Sequence, residues 1–556
     1  MKHLIFCSFI LISVVSFSQN REIYYESDRT SKDQQKYPEA LLFSKVNQQV
    51  YFKHEGIEVW CDQAVFYQED NFFRAFGQVK MNQGDTIKMF SKYAEYDGNS
   101  KFAFASDDVK LITPSNTLTT DSLFFDRQKQ NAFYRSGGTV KDSVSTITSI
   151  YGNYDMPAKK YSFRQQVEVL HPDYNITSQQ IVFYPETGHA YLYGPSTILS
   201  ESGTVFCKKG YYDTKSDQGY FVKDANVKYE NRDLYGDSIY FNRKRNYASA
   251  TQNIRVVDTA NASTLYGNYA EVFKDKDSII VTKTPYIASL QQQDSLFIAS
   301  DTLLITGKSK FRKVSAYYDV RLFKQNLNGK SDSLHLDEVT GITKMIGNPV
   351  LWSENNQITG DTIQLINDTL TDKLDSLKVY NNSFMIQKDT IEGFNQVKGK
   401  FLYGLFEDNE LNEVNVIKNT ETIYYIREEN GDLFGINKAL ASTIKLIFED
   451  QKIVDIYYYN QPDDKTYPES EIPPNARKLK GFNWRGEEQI RSKKDLFSNR
   501  KSYKSKPIIG EFKEDRKPLS KQPEKSELQL NLNDKSVLRN DSSNKKKPKK
   551  SNPIND

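Results

Sequence analysis

The sequence predicts an all-β protein, an elongated stack of β-jelly-roll or β-solenoid type with a period of about 30 residues. Three observations predict it. An apolar or aromatic residue followed by a turn residue recurs through most of the 556-residue chain. A β-branched residue follows each such pair at a nearly constant distance. Between turn-prone segments, apolar and polar residues alternate with period two, the pattern of a strand with one buried face.

The recurring pairs run from Tyr67-Gln68 through Tyr96-Asp97, Phe125-Asp126, Tyr154-Asp155, Tyr184-Pro185 and Tyr212-Asp213. They continue as Phe241-Asn242, Phe273-Lys274, Ile305-Thr306, Leu336-Asp337 and Ile366-Asn367. The β-branched markers include Val79, Val109, Val167, Val227, Ile254, Val320 and Val379. Alternation is clearest in Ala225-Asn226-Val227-Lys228-Tyr229 and Val167-Glu168-Val169. A period near 30 with at least two strands per unit excludes propeller blades, which need about 40 residues or more. Helical repeats of similar period do not alternate by twos. If each unit added one rung of about 4.8 Å, eleven units would span about 50 Å.

Composition narrows the functions. With 36 Tyr and 33 Phe against 17 Pro and 27 Gly, the chain is neither collagenous nor disordered throughout. From Arg500 to Asp556 there are 16 Lys and Arg against 8 Asp and Glu, a net +8 that leaves −5 for the rest. That acidic body argues against nucleic-acid binding. Residues 1–18 read as an export signal, with Lys2, an apolar run over 4–15 and small residues at Ser16 and Ser18. A lead-in over 19–44 precedes the repeat domain at 45–400. A β-rich end or cap region follows at 401–492, in which 437–448 fits either a short helix or a strand. A basic, disordered tail is expected at 493–556.

The chemistry of catalysis is largely missing. His54, His171, His189 and His335 show no metal-ligand spacing, and no nucleophile elbow, phosphate loop or Cys-x-x-Cys occurs. No cofactor and no metal are expected, and the protein is read as not an enzyme. Carboxylates of the recurring pairs read as turn residues. Cys61 and Cys207 leave a disulfide and two free thiols equally open.

Gly-Asp-Thr/Ser-apolar segments, as in Gly84-Asp85-Thr86-Ile87, Gly236-Asp237-Ser238-Ile239 and Gly360-Asp361-Thr362-Ile363, combine with the Tyr-Asp turns and Gly-x-Val strands. Over residues 45–400 this pattern resembles the organic-solvent-tolerance (OstA-like) family of periplasmic lipopolysaccharide-transport proteins. Residues 401–499, closing in Leu479-Lys480-Gly481-Phe482-Asn483-Trp484-Arg485, look like the end of its long Bacteroidetes-type members. The chain is far longer than the family's compact bridge proteins and carries a basic tail they lack. The resemblance implies a twisted, open β-jelly roll whose apolar groove shields acyl chains. It implies a periplasmic location and lipopolysaccharide as ligand. It further implies partners in an inner-membrane exporter and an outer-membrane translocon, with end-to-end self-association through open strand edges.

Alternate apolar strand positions are the expected groove lining: Val79, Met81, Val167, Val169, Val227, Tyr229, Ile254 and Val256. They would equally fill a closed core, or a groove could open at some rungs only. A structural or adhesive β-solenoid that binds no lipid is the alternative function, with a carbohydrate-active enzyme on the same scaffold behind it.

Overall fold

The computed structural model describes residues 22–500, except 202, 292–293, 309–310, 372, 390, 409, 451, 461 and 472–476. Contacts divide the chain after Tyr503, and all described residues belong to the first unit. The expected signal at 1–18 and the tail beyond residue 500 lie outside the described residues. Within them the chain forms 38 strands, all paired antiparallel in one hydrogen-bonded sheet. Among the described residues, no helix is long and apolar enough to cross a membrane.

The sheet is an up-and-down meander of long strands, each pairing with the next along the chain. Phe72–Gln83 pairs with Ile87–Asp97, which pairs with Phe102–Ile112, which pairs with Thr117–Asp126. Alternate long strands bend near the middle, where two successive residues take left-handed backbone conformations. Such pairs stand at Gly77/Gln78, Asp107/Asp108, Gln165/Gln166, Lys223/Asp224, Gln252/Asn253, Asn381/Asn382 and Lys418/Asn419. The register skips at each pair, as between Phe76 and Val79 and between Arg164 and Val167. These are β-bulges, and a bulge bends its strand. Repeated in every other strand, they fold the sheet into two halves that enclose the core. The sequence period is therefore a hairpin of two strands. Each unit adds two rungs rather than the one expected, about 9.6 Å of rise at the usual strand spacing.

The turn residues of the recurring pairs close the hairpins at one border. Asp97 Oδ1 accepts from the backbone N–H of Asn99 and Ser100 at 2.9 and 3.1 Å, and Asp213 does the same for Lys215 and Ser216. Successive turns also bond to each other, Gly98 N–H to Asn71 C=O at 2.9 Å and Lys274 N–H to Asn246 C=O at 2.9 Å. The Gly-Asp segments split into two kinds. Gly84-Asp85 makes a hairpin turn, with Gly84 at φ +58°. Gly236-Asp237 and Gly360-Asp361 face a bulge, where Asn253 and Asn382 donate to Asp237 and Asp361 at 2.8 and 2.9 Å.

The core consists of two files of directly paired side chains, one on each half of the sheet. One runs from Phe52 through Val59, Met81, Met89 and Leu111 and on to Val169, Val227, Val256 and Val397. The other runs through Ala64, Ala75, Ala94, Ala105, Leu123 and Tyr134 and on to Phe163, Leu303 and Ile444. From Phe163 to Phe448 the two halves close on a continuous buried cluster. Each fully buried Leu, Ile, Val or Phe there contributes about 1.5–3 kcal/mol.

The lapse in spacing near Gly399 comes from longer strands, not from a change of architecture. Glu410–Arg427 and Leu433–Glu449 have 18 and 17 residues and keep the antiparallel pairing. Residues 437–448 are thus strand. After the last rung, residues 477–500 run as a strap along the outer face of the sheet. Its buried Leu479 joins Phe384, Ile386, Ile423 and Ile436, and its buried Ile490 and Leu496 join Ala299. Residues 493–500, which composition assigns to the tail, pack on the sheet because Leu496 is buried and Arg500 approaches Asp319 at 3.6 Å.

Candidate functional site

The two halves separate in the first part of the sheet. Between strands Ile57–Cys61 and Lys160–His171 lies an apolar cavity of about 410 Å³. Its size falls in the range of about 300–1,000 Å³ usual for ligand sites. One wall comes from the first file, with Val59, Met81, Met89, Leu111 and Leu118. The facing wall carries Ala94, Ala103, Ala105, Leu123 and Ala132.

Alanines contribute to the space, although the same file also pairs Ala250 with Ala270 where the core is closed. Four successive strands place an alanine at the same file position, Ala64 opposite Ala75, Ala75 opposite Ala94, and Ala94 opposite Ala105. At the first two, buried rings make up the missing volume: Phe43, Phe52, Phe66 and Phe73, with Phe52 and Phe73 stacked at 4.1 Å between centroids. At Ala94 and Ala105 no ring fills the gap. Three of the six methionines, Met81, Met89 and Met156, line the cavity instead. Methionine is unbranched and polarisable and adapts to irregular apolar partners.

The aromatic ring of Tyr134 stands in the lining, which continues past it to Tyr161 and Phe163. Tyr134 is buried and pairs across strands with Gly152. A Cβ on Gly152 would stand 2.2 Å from Tyr134 Cε1, and one on Gly138 would stand 2.7 Å from its Cζ. Neither glycine has a left-handed backbone here, so space alone requires them. The Tyr134 hydroxyl meets Ser149 Oγ at 2.7 Å. Burial raises its pKa, so the phenol is neutral.

Polar groups gather at the rim. The turn over 113–116 is held by Asn116, whose side-chain amide donates to the Tyr161 hydroxyl at 2.8 Å. The Tyr96 ring forms wall, while its hydroxyl meets His54 Nδ1 at 2.7 Å and accepts from Arg127 at 3.2 Å. Lys101 pairs beside them with Glu55 at 2.7 Å. Arg127 also approaches Glu55, at 3.7 Å, and the charged residue in the lining itself is Glu95; an apolar interior with a polar border suits an amphiphile.

The eight expected lining residues fall into three classes. Val79, Val167 and Ile254 directly follow a bulge and are fully packed, exposed by 1, 1 and 2%. Met81, Val169, Val227 and Val256 belong to the file of the first half. Tyr229 sits at a strand end beneath Lys274 Nζ at 4.8 Å. Met81 alone of the eight lines the cavity. Ala94, Ala105, Met89 and Tyr134 are not among the eight, although Phe102-Ala103-Phe104-Ala105 shows small residues at alternating positions.

Other chemistry is sparse. Among the described residues, no group of three or more His, Cys, Asp and Glu is arranged to hold a metal. Cys61 and Cys207 are free and buried, and burial pushes both thiols up to about 12. A thiol so protonated is a poor nucleophile.

Comparison with known proteins places two stretches of the chain. Residues 20–179 match the family described as OstA-like protein. Residues 236–369 match the family described as LptA/(LptD N-terminal domain) LPS transport protein. No curated protein matches the chain. A solved structure, LptH, is described as the LptA-homologous periplasmic component of the lipopolysaccharide transport device of Pseudomonas aeruginosa. It aligns at 16% identity over 26% of this chain and 96% of its own, with a TM-score of 0.20, too low to equate the two folds. The cavity lies wholly within the first matched stretch.

Proposed function

We propose, from the matches of residues 20–179 to the OstA-like family and of residues 236–369 to the LptA/LptD N-terminal family, that this chain is a lipopolysaccharide-transport protein that shields acyl chains in the cavity between Ile57 and Phe163. Sugars and phosphates of the bound lipid stay outside, at the polar rim formed by residues 113–116 and by Arg127 and Lys101. Water exposure of an acyl chain costs about 0.8 kcal/mol per methylene, and transfer into an apolar enclosure removes that cost. The protein works in the periplasm, between inner-membrane and outer-membrane components of the transport machinery. It joins them by strand addition at its terminal edges, of which Lys452–Tyr459 and Asp463–Tyr467 form one.

The observation that carries this reading is the cavity itself, apolar on both walls and confined to the stretch that matches the OstA-like family. The test is photo-crosslinking in the full chain with purified lipopolysaccharide, using a photo-reactive residue at Met89 or, separately, at exposed Lys228. Adducts at Met89 and none at Lys228 are expected. Absence of adducts at Met89 would overturn the reading.

A further inference from the structure

We propose that the hydrogen bond between Asn116 and Tyr161 is a releasable clasp across the lateral mouth of the cavity, which holds the two halves together over a bound acyl chain and parts to hand the lipid on. The inference rests on the lipid reading above and adds to it the place where the site opens.

Three observations lead there. The first is where the cavity meets the outside. Its lining takes Thr86 and residues 113–116 from the hairpin turns that end the first half, and Tyr154 and Met156 from the opposite border. The two rows of turns face each other across the cavity, and the mouth runs between them. The turn over 84–86 is exposed, and a Cβ on Gly84 would meet nothing within 4 Å. This stretch of the mouth is the lateral way in for an acyl chain.

The second is how the mouth is held on either side of that turn. On one side Glu55 meets Lys101 Nζ at 2.7 Å, Arg127 donates to Glu55 C=O at 2.9 Å, and the Tyr96 hydroxyl meets His54 Nδ1 at 2.7 Å. On the other side the Asn116 amide donates to the Tyr161 hydroxyl at 2.8 Å. The first tie is a network that includes charged groups, and the second is one bond between neutral groups. Charge-assisted hydrogen bonds are roughly twice as strong as neutral ones, so the Asn116 tie parts first. Farther along the chain the borders are again tied by charge, where buried Arg312 reaches Asp258 at 3.4 Å and Lys274 Nζ stands 4.8 Å from the Tyr229 ring.

The third is the build of the clasp. Within the turn, Thr113 Oγ1 meets Asn116 Oδ1 at 3.2 Å and accepts from the Asn116 backbone N–H at 3.1 Å. The turn is thus tied to itself and moves as a unit, carrying the amide with it. The facing ring is held by its neighbours, since Tyr161 stacks on Tyr154 at 4.3 Å and lies 6.0 Å from Phe163. All three rings line the cavity where it meets the closed core, and Val140 packs against both buried clusters. Parting one contact between a preformed turn and a preformed wall opens the cavity towards the following rungs and leaves every strand paired.

The experiment uses the full chain with fluorescently labelled lipopolysaccharide as probe, and reads the rate at which preloaded lipid leaves. Ser115→Cys with Lys160→Cys, one residue from each partner of the clasp, is joined after loading by a reducible bis-maleimide. Cys61 and Cys207 are buried and stay out of its reach. The bridged protein is expected to hold its lipid until reductant is added, which restores the unbridged rate. Tyr161→Phe keeps the ring and removes the acceptor, and should release lipid about three- to tenfold faster, the effect of one neutral hydrogen bond. Should Tyr161→Phe not fold, Asn116→Ala takes its place. Release from the bridged protein at the unbridged rate, or an unchanged rate in the folded variant, would overturn the clasp and leave the lipid reading intact. Failure of every form, wild type included, to take up labelled lipopolysaccharide would overturn the lipid reading itself.

Discussion

Ala94 stands directly opposite Ala105 on the neighbouring antiparallel strand, and both line the apolar cavity. Two small side chains face each other there; the same file pairs Phe163 with Ile181 and Leu334 with Met345, and pairs Ala250 with Ala270 within the closed cluster. A cavity in a close-packed interior is costly unless something occupies it. Ala105→Leu should therefore leave the fold intact and fill the site. Lipopolysaccharide retained on purification should fall about tenfold, equivalent to about 1.4 kcal/mol. Quantifying bound lipid against thermal midpoint checks both effects, and a variant that keeps its lipid would show that the alanine pair is not the binding space.

Leu303 tests the closed half of the stack. It is fully buried between Val281 and Ala316 in the same file. Leu303→Ala should cost about 2–5 kcal/mol by urea unfolding, as buried leucine truncations do, without altering lipid retention. A loss of bound lipid with stability unchanged would mean that the sealed half takes part in binding.

The strap over residues 477–500 is held by two glutamines that act like short strands. Gln396 accepts from Leu479 N–H at 2.8 Å and donates to Arg477 C=O at 2.9 Å. Gln357 accepts from Arg485 N–H at 2.6 Å and donates to Asn483 C=O at 2.8 Å. Both side chains are buried, so their removal leaves backbone groups without partners. Gln396→Ala should weaken strap docking by about 1–3 kcal/mol. Limited trypsin digestion should then cut earlier at Lys480 and Arg485, as followed by mass spectrometry.

Strap docking should also respond to acid. Glu488 is held down to about 2, first by its hydrogen bonds from Arg485 and then by Lys330 at 2.8 Å. Its folded value lies below the ordinary 4.5. Its contribution is thus complete above about pH 4.5 and is lost as pH falls towards 2. The side chain is 41% exposed, so solvent screening keeps the effect small. The stability difference between wild type and Glu488→Gln should be present at pH 6 and vanish near pH 2. A difference that persists at pH 2 would assign the effect to packing instead.

Much of the fold is legible in single residues. Asp97 and Asp213 announce their turns because a short carboxylate accepts backbone N–H groups two and three residues ahead. Val167 and Val169 announce a strand because alternate side chains share one face. The bulges are less legible. Gly77 is a natural left-handed residue, but Gln165, Gln166, Lys223 and Gln252 are not. Their conformation is imposed by the need to bend alternate strands at the same level, a demand set by neighbours about 30 residues away in the chain.

The strap shows a second limit. Lysines at 493 and 494 read locally as the start of a basic tail. Only the folded sheet offers the apolar recess at Ala299 that receives Leu496 and the carboxylate of Asp319 that meets Arg500. Composition counts charges and cannot see a recess built from distant strands.

By itself the sequence determined the strand class, the period, the turn residues and the apolar alternation, because these depend on neighbours one to four positions away. Tertiary structure decided which apolar positions seal a core and which line a cavity. Met81 and Val169 share one file and one alternation pattern, yet Met81 borders open space and Val169 joins the closed core. The difference lies in what the opposite half of the sheet presents, alanine at Ala94 and Ala105 or bulk at Phe163 and Ile181. Side-chain volume across a fold is a property of two strands at once, and no single strand records it.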